Sequence, residues 1–122
     1  MQHYLTNQNL KKDVCEVTSA FAVVCKSVGN PSYLQNEDEP VSDEMVFAID
    51  NLKEASEICR KYLTAFNLGG GNWAGGQVYH PTIGLIANIS FNGRVWKLDN
   101  SRFSDDDLEK KWDSFSENQL VF

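Results

Sequence analysis

The hydrophobic rhythm of this chain changes at a glycine-rich bend. Up to Phe66, apolar residues recur three and four apart: Leu52, Ala55, Ile58, Cys59, Tyr62, Leu63 and Phe66. Beyond Gln77 they alternate, as in Leu85, Ala87, Ile89 and Phe91. Between them, the run from Leu68 to Gln77 holds five of the eight glycines, together with Asn72 and Trp73. The first spacing is a helical stripe and the second a half-buried strand. Glycines at such a junction permit a tight reversal or a close approach of backbones. A helix that hands over to a meander places the chain in the α+β class.

The remaining elements follow from local signals. Val14, Val17, Thr18, Phe21, Ala22, Cys25 and Val28 predict a helix over Leu10–Val28, capped by Asn9 and ended by Gly29 and Pro31. Asn30–Asp43 reads as a loop in which Tyr33 and Leu34 either anchor the chain or form a short strand. Glu44–Ile49 predicts a strand. It is apolar on both faces and so expected inside a sheet. Asn51 with Glu54 resembles a capping box at the start of the second helix. Gln77–His80, Leu85–Phe91 and Arg94–Leu98 form the meander. Asn92-Gly93 predicts a two-residue type I′ hairpin, which pairs Phe91 with Arg94, Ile89 with Trp96 and Ala87 with Leu98. Those pairs make Ile89, Trp96, Ala87 and Leu98 an expected core layer. Ser104 followed by Asp105, Asp106 and Asp107 predicts a last helix, with Leu108, Trp112 and Phe115 along its apolar edge. The expected order is α-β-α-β-β-β-α, a mostly antiparallel four-stranded sheet with helices packed on one face. Residues 1–122 read as a single globular domain.

Composition restricts the function. The net charge is −6, which argues against binding a phosphate backbone directly and permits a protein partner with a basic surface, though acidity of this size also simply keeps small proteins soluble. No stretch approaches the ~18 consecutive apolar residues of a membrane span, and the segment from Met1 to Thr6 lacks the basic and apolar regions of a secretory signal. A cytoplasmic location is expected. Three cysteines, Cys15, Cys25 and Cys59, fit a reducing compartment. On one helix, Cys15 and Cys25 would stand about 15 Å apart and could not bridge.

Candidate chemistry is sparse. Gly69-x-Gly71-x-x-Ala74 superficially fits a dinucleotide fingerprint, but it follows a helix and precedes a strand, the reverse of what that motif needs. His3 and His80 stand far apart in sequence and give no metal-ligand spacing. Cys59 and His80 would be the candidate nucleophile pair, but Cys59 belongs to the buried stripe, which argues against it. No catalytic residue, metal or cofactor is therefore assigned. Among the tryptophans, Trp96 and Trp112 fall on expected inner faces, and Trp73 has no periodic reason to be buried. Trp73 either caps the core or, with Asn72 and Gln77, faces a partner. Arg94 either joins that surface or covers Phe91. Two acidic clusters complete the candidates: Glu37, Asp38 and Glu39, and then Asp105 and Asp106 with Asp107.

Three segments carry a resemblance: Asn51-Leu52-Lys53-Glu54-Ala55, Asn72-Trp73-Ala74-Gly75-Gly76-Gln77-Val78 and Phe91-Asn92-Gly93-Arg94-Val95-Trp96. Across Met45–Leu98 the chain resembles small accessory proteins carried by phages, prophages and plasmids. The layout of strand, Leu-x-Glu-Ala helix and meander is also similar to that of some anti-CRISPR and anti-restriction proteins. The resemblance brings no catalytic residues.

The expectation is a non-enzymatic accessory protein of a mobile element. Its acidic surface would bind and modulate a host protein, such as a nucleic-acid-handling machine. The alternative is a small-ligand or peptide-binding module built on the glycine-rich loop and Trp73. Edge strands in so small a sheet also admit a homodimer.

Overall fold

The computed structural model describes residues 21–36 and 38–115. Its centre is a five-stranded sheet in the order β2-β1-β3-β4-β5, antiparallel throughout. The strands are β1 (Ala22–Cys25), β2 (Met45–Ala48), β3 (Gln77–His80), β4 (Gly84–Ile89) and β5 (Val95–Trp96). Helix α1 (Leu52–Ala65) packs over β1 and β4, and the short α2 (Asp105–Leu108) packs against α1.

The first correction concerns β1. The expected helix over Leu10–Val28 is overturned at its C-terminal end, where Ala22–Cys25 is an extended strand between β2 and β3. Residues 10–20 of that expectation, with Asn9 and Cys15, lie outside the described residues. Phe21-Ala22-Val23-Val24-Cys25 is apolar at every position, so it satisfies a helical and a two-fold repeat alike. All four residues of β1 are buried, as a central strand with two apolar faces requires. The sheet consequently has five strands and not four.

Val23 and Cys25, with Phe47, Met45, Val78, Ala87, Ile89 and Val95, face α1 and make the core with Leu52, Ala55, Ile58, Cys59 and Tyr62. The second correction is β2. It lies at the edge of the sheet, so its two apolar faces do not signal an interior position. Met45 and Phe47 are buried and Val46 and Ala48 half-buried, which leaves the edge strand with one well-covered face.

Helix α1 follows the expected stripe. Asn51 Oδ1 accepts the Glu54 N–H at 2.7 Å, and Glu54 Oε1 accepts the Asp50 N–H at 2.7 Å. Two otherwise open donors at the helix start are thereby satisfied reciprocally. Asn67 adopts a left-handed φ of 53° just past the helix end.

The hairpin between β4 and β5 is the third correction. Only Gly93 has a positive φ (87°), whereas a type I′ turn needs both central residues there. Ser90 N–H donates to the Arg94 carbonyl at 2.9 Å, and Gly93 N–H to the Ser90 carbonyl at 2.9 Å, so the loop has three residues, Phe91, Asn92 and Gly93. The extra residue slips the register by one: Ile89 pairs with Val95 and Asn88 with Trp96. A slip of one exchanges faces, so Val95 enters the core and Trp96 turns to the opposite face. The expected layer of Ile89, Trp96, Ala87 and Leu98 is replaced by Ile89, Val95, Ala87 and Val78.

The last helix starts where expected. Ser104 Oγ accepts the Asp107 N–H at 3.2 Å, but α2 ends at Leu108. Trp112 lies in a separate 3-10 turn and is 44% exposed, not on an inner helix face. Phe115 does reach the core, against Phe21 and Phe103.

Candidate functional site

The bend after α1 is built inward. Gly76 has a φ of +98°, and a Cβ there would stand 2.1 Å from the Ile89 carbonyl oxygen. A Cβ on Gly75 would stand 2.7 Å from the Lys26 nitrogen. Both positions need glycine because residues 74–76 are threaded between β1 and β4. Ala74 N–H donates to the Lys26 carbonyl, Gly76 N–H to the Val24 carbonyl, and Ile89 N–H to the Gly76 carbonyl. The bend thus continues the sheet beyond β3.

Its side chains are committed to the same purpose. Trp73 is half-buried, its Nε1–H donates to the Ile89 carbonyl at 2.9 Å, and its ring lies 6.1 Å from Tyr62. Asn72 is buried: its Nδ2 donates to the Val28 carbonyl and to Gln35 Oε1, both at 2.9 Å, while its Oδ1 accepts the Gly69 N–H at 3.1 Å. Gln77 Nε2 donates to the Ala74 carbonyl at 3.0 Å, and its Oε1 is buried without a partner among the described residues. Asn72, Trp73 and Gln77 therefore hold the bend together. Arg94 is exposed beside the hairpin, and Phe91 is covered by Arg60, whose guanidinium stacks 5.3 Å from the ring centre and donates to the Phe91 carbonyl.

The Cys25 thiol is raised well above its ordinary pKa by burial and by the neighbouring Cys59 thiol. Both cysteines are buried in the core. His80 is buried, and its Nδ1 accepts the Thr82 and Ile83 N–H groups at 3.1 and 3.2 Å. Nε2 then carries the proton and donates to the Trp112 carbonyl at 2.7 Å. His80 ties the 3-10 turn at Trp112 to the end of β3, away from Cys59. Among the described residues no group of three or more His, Cys, Asp or Glu is arranged to hold a metal ion. No helix among them is long and apolar enough to cross a membrane.

The acidic clusters lie apart. Asp38 and Glu39 are exposed, and Gly29 N–H donates to the Glu39 carbonyl at 2.8 Å, which ties them to the chain just after β1. The same loop returns to the last turns of α1, where Tyr62 donates to the Asp43 carbonyl at 2.5 Å. Asp105 and Asp106 sit instead beside the first turn of α1, where Lys53 faces Glu109 at 3.9 Å. Asp107 is neutralised by Lys110 at 2.7 Å, which lowers its pKa. Glu37 lies outside the described residues.

One exposed feature had no strong sequence signal. The segment Pro31–Tyr33 forms a 3-10 turn, and Leu34 follows it with a left-handed φ of 59°. Tyr33 is 66% exposed and Leu34 98% exposed. Two large apolar residues in a segment with neither repeat were the available hint. No family model, curated protein or solved structure matches the chain.

Proposed function

We propose that this chain is a small accessory protein that acts by binding another protein, and that its carboxylates meet a basic surface on that partner. The observation that carries the reading is the state of its acidic residues. Asp38, Glu39, Asp105 and Asp106 are all exposed, and none makes a salt bridge among the described residues. Uncompensated carboxylates on a chain of net charge −6 attract a cationic surface over a Debye length and speed encounter with it. The reading is non-catalytic because the described thiols are buried and the one described histidine has both ring nitrogens engaged. A nucleic-acid-handling protein of the host is the partner class with such a surface, and modulation of it by a mobile-element protein is the biological setting we infer.

The test is affinity capture with the tagged full chain from the producing cell at low and at high salt. A basic protein retained at low salt and released at high salt is the expected result. Asp38→Lys with Glu39→Lys should slow its association. Recovery of no basic protein at low salt overturns the reading.

A further inference from the structure

We propose that the turn at Pro31–Gln35 is the element that docks, with Leu34 entering an apolar pocket of a partner protein and Tyr33 lying across its mouth. The proposal rests on the protein-binding reading above and names the surface that performs it.

Three observations converge on this turn. Leu34 has almost no contact with its own molecule and holds a backbone conformation that disfavours branched side chains. Glycine or asparagine would occupy that position at lower cost, so nothing among the described residues accounts for leucine there. Backbone outliers of this kind persist where the surroundings enforce them.

The surroundings do enforce it. Asn30 accepts the Tyr33 and Gln35 N–H groups on its carbonyl, at 2.9 and 3.2 Å, and the Ser32 N–H on Oδ1 at 3.0 Å. Gln35 Oε1 accepts from Asn30 N–H and from Asn72 Nδ2, each at 2.9 Å. The buried Asn72 thereby fastens the turn to the bend that extends the sheet. A projection ordered before contact loses less entropy on binding.

Charge specifies the occupant. Asp38 and Glu39 follow Leu34 closely in sequence, are exposed, and make no ion pair among the described residues. An exposed apolar anchor followed within five residues by exposed carboxylates fits an apolar pocket on a lysine- or arginine-bearing surface, in keeping with the apolar centre and polar rim of protein interfaces. The same carboxylates repel an anionic lipid surface.

The experiment compares the tagged full chain with Leu34→Gly and Asn100→Gly. Asn100 is exposed and also has a positive φ, 69°, so it is a matched position outside the turn. Relief of strain should raise the melting temperature of Leu34→Gly, which shows that it folds. Its affinity for the basic partner captured by the wild type should fall on the order of tenfold or more, while Asn100→Gly binds as the wild type does. Leu34→Gly binding as tightly as the wild type overturns the docking element and leaves the protein-binding reading intact. A wild type that captures no basic protein removes both. Sedimentation of the purified chain is the remaining arm: a dimer that Leu34→Asp dissociates would make a second copy the occupant and overturn the proposal.

Discussion

The bend at Gly69–Gly76 and the turn at Pro31–Gln35 touch through Asn72 and differ in almost every other respect. The bend is compositionally unusual, rich in glycine with a single indole, and it spends its donors and its side chains on the chain itself. The turn is compositionally ordinary and presents its two large side chains to solvent. Glycine enrichment here records how closely three backbone segments approach, which is a property of the scaffold. Exposure depends on whether a neighbouring element claims the side chain; among the described residues none covers Leu34, and Tyr33 only grazes the start of the bend at Gly69.

The contrast is tested most severely at Gly76. Gly76→Ala places a methyl against the Ile89 carbonyl at a positive φ, and we expect a loss of about 3 kcal/mol in urea unfolding, with the whole transition shifted. A shift below about 0.5 kcal/mol would mean that the bend is not the splice between β1 and β4.

Asn72→Ala addresses the joint between the two regions. It strands the Gly69 N–H and removes a donor from both the Val28 carbonyl and Gln35 Oε1, for an expected cost of about 2 kcal/mol. Hydrogen exchange should quicken first at the amides of Ser32, Tyr33 and Gln35. Uniform quickening across the sheet would show that the turn is not held separately.

The smallest effect concerns the far end of the loop that carries the turn. Ser42 Oγ lies 2.6 Å from both Ser27 Oγ and Tyr62 Oη, and Ser27 Oγ accepts the Val41 N–H at 3.1 Å. Burial pushes the Tyr62 phenol up to about 12 from its ordinary value of 10, partly offset by the hydrogen bond with Ser42. The folded state therefore holds the proton more tightly than the unfolded state. This stability is intact below pH 10 and is lost as pH rises towards 12. Tyr62→Phe should cost about 1 kcal/mol at neutral pH and flatten that alkaline limb. An alkaline limb unchanged in the variant would assign it to another group.

Much of this scaffold was legible in the residues. The stripe of α1, the Asn51 and Ser104 caps, the strand over Met45–Ala48 and the strand over Gln77–His80 all follow from spacing and side-chain type. β1 did not, because an unbroken apolar run carries no phase, and only the β-branched pair Val23-Val24 favoured a strand. The register of β5 failed on one dihedral: Asn92 declined the left-handed conformation, the loop grew by a residue, and Trp96 changed faces. The exposed turn was hidden for a different reason. Leu34 obeys no local preference, and the turn that presents it is held by Asn72, acting through Gln35 from another part of the chain.

The position of β1 has a consequence for how the molecule is made. Val23 is flanked by Phe47 on one side and by Val78 on the other, so the middle of the sheet cannot be completed until the bend and β3 have left the ribosome. Until then Ala22-Val23-Val24-Cys25 is a sticky ribbon without its second neighbour, the kind of segment that holdase chaperones shield. Distant pairings of this type make assembly slow.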